Sequence, residues 1–287
     1  MDKGTHLGAK QKKIPTPDEK AYDRMIMVIV IAVVMTIFYI LFDYEQSMRA
    51  LMLVTAGFCV AFSSILMQTV TSNRILTPGV MGLESISVFV ISISNFTTAL
   101  GAMVLFVLFA LKKVLEKEER NIYFLLLLGA IITIIFSGIN YEQNASNDMV
   151  LFASIVAIIM FALSYKNLKH LDMLSLGREN AISFGLNYNK LSGEFLAVIG
   201  VLVVISVYLI GPIVFFGVIA SNITYQLIKT YKHKYILPTS ICISIITLLF
   251  LDLVVNQTLE LAVGFARVIN FVGGIYFMLL LIKSERI

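Results

Sequence analysis

The sequence predicts an all-α, polytopic membrane protein with about ten transmembrane helices. Three observations carry that expectation. Of 287 residues, 59% are hydrophobic and only 14% charged, against about 45–50% and about 25% in a soluble domain, and the mean hydropathy is +0.90. The apolar residues gather into blocks of roughly 16–22 residues, the length a helix needs to cross about 30 Å of hydrocarbon. Lysine and arginine concentrate in alternate gaps between the blocks, as membrane topology requires.

The chain opens on a polar tail, 1–24, which includes Lys10, Lys12, Lys13, Pro15 and Pro17 and is too polar to build a core. It is not a secretory signal, because the apolar run after it ends in Phe42-Asp43-Tyr44-Glu45 without a small-residue cleavage pattern. The remainder, 25–287, forms one transmembrane domain. Its spans fall at 25–42, 50–70, 79–95, 97–114, 122–140, 149–165, 191–210, 212–229, 235–256 and 261–282. In the third, Thr77 is expected to cap a helix with Pro78 in its first position, which sets Glu84 about two turns in. Between the seventh and eighth, Gly211-Pro212 breaks the apolar stretch, since proline cannot continue a helix without losing a backbone bond. Such breaks at membrane depth are tolerated where they pack in protein or line a cavity, so Pro78, Gly79, Glu84, Gly211 and Pro212 are candidates for a solute path or for its structural support.

Orientation follows from the cations. The tail holds six, the 71–78 loop one, the 112–121 loop four, the 166–190 loop four, the 229–234 loop three and the C-terminal tail two. Twenty of 22 thus lie on one face, and only Arg49 and Arg267 on the other. Both termini and the 166–190 loop are therefore expected in the cytoplasm.

Chemistry is sparse. There is no phosphate-binding Gly-x-x-x-x-Gly-Lys-Ser/Thr run, no Ser/His/Asp grouping and no His-Glu-x-x-His helix, so neither an enzyme nor a nucleic-acid partner is expected. His6, His170 and His233 show no ligand spacing, and Cys59 and Cys242 sit in apolar blocks as small hydrophobes. No metal or cofactor is expected, and the 13 methionines read as apolar filler. The ionisable residues within spans are Glu84, Glu194, Asp252 and Arg267, each a functional candidate because a charge in the bilayer is costly. Bland readings compete. Glu194 can sit in a first turn on the helix dipole, Asp252 and Arg267 can pair near the exterior, and Glu84 can bond Ser85 or Ser87.

The longest internal charged loop carries Leu174-Ser-Leu-Gly-Arg-Glu-Asn-Ala-Ile-Ser-Phe-Gly185. It reads as a helix of about nine residues with Ser175 as cap and Gly185 as stop. A helix that short is marginal in water unless it packs on something, either another protein or the headgroups.

Several segments, in order, resemble the permease subunits of the iron–siderophore and vitamin B12 (FecCD-type) ABC importers. Gln68-Thr-Val-Thr-Ser-Asn-Arg-Ile-Leu-Thr-Pro-Gly-Val-Met-Gly82 looks like the family's Arg-Asn-Pro-Leu-Ala-x-Pro-Gly region. The 174–185 segment is similar to its Leu-Ser-Leu-Gly-Glu-x-x-Ala-x-x-Leu-Gly, and Gly211-Pro-Ile-Val-Phe-Phe-Gly to its Gly-Pro-Ile-x-Phe-Val-Gly. Asn73-Arg-Ile-Leu-Thr-Pro78, Tyr231-Lys-His-Lys-Tyr-Ile-Leu-Pro238 and Asn270-Phe-Val-Gly-Gly-Ile-Tyr276 resemble the ferric-catecholate (petrobactin-type) branch.

The resemblance implies a type II ABC importer permease in a bacterial cytoplasmic membrane. Its partners would be ABC ATPase subunits, a second permease chain, related or identical, and a siderophore-binding lipoprotein outside. The 166–190 loop would be the coupling element, with Leu174, Leu176, Ile182 and Phe184 entering an ATPase groove, Arg178 and Glu179 fixing register, and Gly177 and Gly185 shaping the turn. Arg49, and by position Arg267, would meet acidic residues of the lipoprotein; for Arg49 the competing reading is snorkelling. The loop Tyr141–Asp148 is short for the family. An alternative from another class is an ion-gradient-driven secondary transporter.

Overall fold

The computed structural model describes residues 16–42, 47–111, 113, 122–136, 139, 145–258 and 265–284. Among these residues every regular element is helical. The apolar helices run in order: α1 (Pro17–Phe42), α2 (Ser47–Thr71), α3 (Leu83–Ile93), α4 (Phe96–Phe106), α5 (Ile122–Phe136) and α6 (Asn147–Tyr165). Two short helices follow, α7 (Leu171–Leu174) and α8 (Arg178–Ser183). The chain then returns to long ones: α9 (Tyr188–Ile210), α10 (Phe216–Ile228), α11 (His233–Asp252) and α12 (Phe265–Ser284). Wide π turns extend α4 over Val107–Leu111 and α11 over Leu253–Thr258.

Each of the ten apolar blocks thus holds a helix. Among the described residues five are long and apolar enough to cross a bilayer: Pro17–Leu41, Ser47–Thr71, Asn147–Tyr165, Tyr188–Ile210 and His233–Val255. The other five blocks hold apolar helical stretches of 10–17 residues. They are shorter than the blocks because two of the blocks begin with non-helical chain and others run into residues outside those described.

The centre of the bundle is α2 packed on α9, with α11 on the other side of α2. Both central helices are apolar around the whole circumference, which suits burial on all sides. From Thr55 to Thr71 nearly every residue of α2 is buried. Several of its hydroxyls bond within the helix: Ser63 donates to the Val60 carbonyl and Thr71 to that of Met67. Small residues let the helices approach, as membrane packing favours; a Cβ on Gly57 would lie 3.1 Å from the Ile245 side chain of α11. By contrast α1 is peripheral. It buries Ala21, Ala32 and Tyr39 and exposes Val30, Val33, Val34, Ile37 and Phe38, an apolar face that suits lipid.

Two boundaries read from sequence need correction. The polar tail does not extend to residue 24: α1 starts at Pro17, about two turns before the apolar run. Thr16 and Glu19 form a reciprocal capping box, Glu19 N–H donating to Thr16 Oγ1 and Thr16 N–H to Glu19 Oε2, with Pro17 in the first helical position. The extension then packs, since Ala21 is fully buried and Arg24 donates to the Leu227 carbonyl at the end of α10. Likewise α9 starts at Tyr188, so Glu194 lies in the second turn rather than the first, where it accepts from the Asn167 amide. Residues 141–144, the first half of the short loop Tyr141–Asp148, lie outside the described residues.

Candidate functional site

Three clusters hold nearly all the candidate residues. The first is a pair of broken helices pressed together inside the bundle. Thr77 and Pro78 do start a helical turn, closed by Met81 N–H on the Thr77 carbonyl. It stops at once. Gly82 adopts φ +77°, and the Gly82 and Leu83 amides return to the Gly79 and Pro78 carbonyls, the pattern of a helix end. The helix restarts as α3 at Leu83, which puts Glu84 in a first turn and not two turns in. Thr77 is no side-chain cap either: its buried hydroxyl finds no partner among the described residues.

Facing this turn is the break after α9. Gly211 takes φ +78° with ψ 179°, a region open essentially to glycine alone. Pro212 has no N–H to give, and the next amide, Ile213, donates to Glu84 Oε2 at 2.6 Å. The Pro212 carbonyl accepts from Asn270 of α12 at 3.0 Å. Glu84 therefore bonds across to the break and not to its neighbours; Ser87 uses its hydroxyl on the Leu83 carbonyl. A carboxylate and an amide from two other helices thus supply an acceptor for the Ile213 N–H and a donor for the Pro212 carbonyl, which is how broken backbone survives away from water. The two breaks touch so closely that a Cβ on Gly79 would sit 2.2 Å from the Val214 carbonyl oxygen. Gly217 in turn packs on Ser64, seven residues short of the end of α2, so the junction is deep in the bundle. Pro78, Gly79, Glu84, Gly211 and Pro212, scattered in the sequence, form one site.

The second cluster lies where α1, α2 and α11 meet, at the end away from the lysine-rich loops. Arg49 holds Asp252 through both edges of its fork, Nε to Oδ2 at 2.9 Å and Nη2 to Oδ1 at 2.6 Å. Tyr39 donates to the same carboxylate at 2.6 Å. Asp252 is wholly buried whereas the Arg49 side chain keeps 37% of its surface. A bidentate fork explains why arginine stands here. Of the possibilities left open for Asp252 and Arg267, pairing with one another does not occur: Arg49 is the arginine that holds Asp252, and Arg267 stands exposed in the first turn of α12.

The third cluster is the coupling segment. It is not one nine-residue helix but two pieces, α7 and α8, hinged at Ser175–Gly177. Ser175 does not cap; its hydroxyl donates back to the Asp172 carbonyl. Gly177 occupies the cap position with φ +92°. The expected stop holds: Gly185, at φ +80°, donates to the Ile182 carbonyl while Leu186 N–H reaches Ala181, a glycine-ended helix terminus. Leu171, Leu174 and Ala181 are fully buried against the bundle. Leu176, Ile182 and Phe184 are 54%, 52% and 62% exposed. Leu174 thus anchors the segment instead of presenting a docking surface. Asp172 accepts both the His233 backbone N–H at 2.8 Å and its ring Nδ1 at 2.7 Å. Burial pushes the Asp172 carboxyl up, but the His233 side chain and amide outweigh this and hold it below the usual carboxylate range.

Sequence reading missed Asp172, His233, Tyr39 and Gln68. Gln68 is buried at the end of α2, donates to Ser221 and the Arg74 carbonyl, and accepts from Tyr225. None carries a local signal, because each is defined by partners far away in the chain.

The FecCD transport family model matches residues 39–142 and 140–283. The chain belongs to the FecCD transport family. Among curated relatives, the petrobactin import system permease protein YclO of Bacillus subtilis (strain 168) is 31% identical, over 90% of this chain and 95% of its own length. The petrobactin import system permease protein FatC of Bacillus anthracis is 26% identical, over 81% of this chain and 76% of its own. A solved structure described as an inward-facing conformation of a metal-chelate type ABC transporter has the same fold, with a TM-score of 0.70 at 18% identity, covering 92% of this chain and 99% of that one. As a family member the chain is a transport component of the membrane, and the segments quoted for the resemblance lie within the matched region.

Proposed function

We propose that this chain is one of two permease subunits in an ABC importer that carries a ferric siderophore, of catecholate type, into the cytoplasm. ATP hydrolysis in separate subunits drives the step, and a lipoprotein delivers the cargo. The cargo class is supported by the petrobactin permeases among its relatives. Both termini lie on the cytoplasmic side, as the cation count argues.

The observation that carries the reading is the divided burial of the coupling segment. Leu171, Leu174 and Ala181 fix it to the bundle, and Leu176, Ile182 and Phe184 remain exposed beside Arg178 and Glu179. Three large apolar side chains standing together outside the bundle fit a groove on a partner. On the opposite side Arg49 is engaged by Asp252, so the docking cation for an acidic lipoprotein surface is Arg267. The five residues of the paired breaks support the walls of the path by fixing backbone, with no ligand role.

Phe184→Asp combined with Ile182→Asp tests the reading. The variant is expected to insert in the membrane and melt as wild type does, yet to lose its ATPase subunits on purification in mild detergent. Retention of the ATPase would refute it. So would uptake of ferric catecholate into sealed vesicles holding this chain alone, without ATP.

A further inference from the structure

The segment Tyr231-Lys-His-Lys-Tyr-Ile-Leu-Pro238 has no part in the function proposed so far, yet His233 within it joins three elements. It opens α11 and is 7% exposed. Its Nδ1 meets Asp172 Oδ1 of α7 at 2.7 Å, and its Nε2 meets Thr69 Oγ1, in the last turn of α2, at 2.9 Å. An ionised carboxylate only accepts, so Nδ1 carries the proton on that side. At the other side the Thr69 hydroxyl has one proton and two claimants, the Ile65 carbonyl at 2.7 Å and Nε2. A neutral ring takes that proton; a doubly protonated ring donates to Thr69 instead. Either way both ring nitrogens are engaged, and the ring cannot turn without breaking a bond.

Two clefts flank this bridge. On one side is a cleft of about 500 Å³ whose lining includes Ser72, Arg74, Ser175 and Lys232. On the other is a cleft of about 780 Å³, bordered by Lys166, Lys169, Lys234 and Leu237 among others. Asp172 and His233 line both. They stand between the two clefts and link α7 to the start of α11. Leu171 and Leu174 seat α7 against the bundle core beside α2.

We infer that His233 is a positioning residue for energy transfer: it converts displacement of the coupling segment into joint movement of α2 and α11. The inference rests on the ATPase docking at α8 proposed above. Thr69 lies at the cytoplasmic end of the most buried part of α2, and α2 also carries Ser64, against which the break region packs through Gly217. A pull on the Thr69 end of α2 therefore acts on the helix that supports the paired breaks. Without the bridge, α8 still docks and the ATPase still turns over, but less of the motion reaches the path.

The test uses the whole reconstituted complex and reads ferric catecholate moved per ATP hydrolysed, with complex assembly and ATPase rate recorded beside it. His233→Ala is expected to assemble and to hydrolyse ATP within about twofold of wild type, and to lower the cargo-to-ATP ratio at least about fivefold, the low end for coupling between sites. Thr69→Val and Asp172→Leu, which stay close in shape but remove the bridging oxygens, should lower the ratio in the same direction, and Thr69→Val should add nothing on a His233→Ala background. These two variants carry the test if His233→Ala fails to fold. A ratio unchanged in Thr69→Val and Asp172→Leu overturns the inference while leaving the proposed function standing. A wild-type chain that holds no ATPase overturns both.

Discussion

The contact between the two breaks makes Gly79→Ala a severe perturbation of this fold. A methyl at that position would lie 2.2 Å from the Val214 carbonyl oxygen and 2.8 Å from the Val214 Cα. Carbon and oxygen pack at about 3.2 Å or more, so the two segments must separate by about 1 Å. The obstacle is backbone on a proline-bearing turn, which no rotamer change relieves. Overpacking of this kind costs about 1–3 kcal/mol. The same separation stretches the bond from Ile213 N–H to Glu84, 2.6 Å long, to about 3.6 Å, beyond hydrogen-bond range. A buried amide left unpaired adds about 1–3 kcal/mol. The total of about 2–6 kcal/mol is a large part of the stability of a typical protein. At about 2–4 °C per kcal/mol for a chain of this size, the melting temperature in mild detergent should fall by at least about 4 °C, with loss of uptake. Gly101→Ala is the internal control. A Cβ there meets nothing within 4 Å, and replacing a helical glycine gains about 0.5–1 kcal/mol, so its melting temperature should hold or rise. Equal behaviour of the two variants would show that the breaks do not pack as described.

Two further outcomes follow from the other clusters. Arg49→Ala takes the guanidinium from the wholly buried Asp252 carboxylate, which keeps Tyr39 among its partners; removing one partner of a buried pair costs about 3–5 kcal/mol, discounted here because Arg49 is partly exposed. Asp252→Asn should therefore be the milder change, since water can reach the released guanidinium, and a thermal melt showing the reverse order would refute the pairing. Arg267→Glu should slow capture of the delivery protein about tenfold at low ionic strength, with the deficit shrinking as salt rises and ATPase retention unchanged. A salt-independent effect, or none, removes Arg267 from the docking surface.

Some of these features carry a one-dimensional signal and others carry none. Thr16-Pro17-Asp18-Glu19 encodes a capping box, a start signal that hydropathy alone hides because the turn it opens is polar. Ser175 satisfied the composition of a cap, but Gly177 took the position because the chain needs a positive φ there to turn from α7 into α8. Gly185 was legible as a stop because the glycine-ended terminus is a local structure, closed within five residues. Arg49 stood out as one of only two cations on its face, yet its use on Asp252, 203 positions away, has no local signature.

The sequence by itself determined that the chain is helical and membrane-embedded, how its apolar blocks are ordered and, through the 174–185 and Gly211-Pro212 segments, its family. These are properties of neighbours along the chain: hydrophobic runs set by bilayer thickness, and glycine and proline at fixed offsets. Only the tertiary structure decided that Pro78, Gly79, Glu84, Gly211 and Pro212 are one site, that Asp252 belongs to Arg49, and that His233 stands between the coupling segment and α2. The reason is physical. A buried polar group must find a partner wherever the packing of helices brings one within about 3 Å, and that depends on which faces of α2, α9 and α11 meet. In helices apolar on every side, no periodicity marks which face that is.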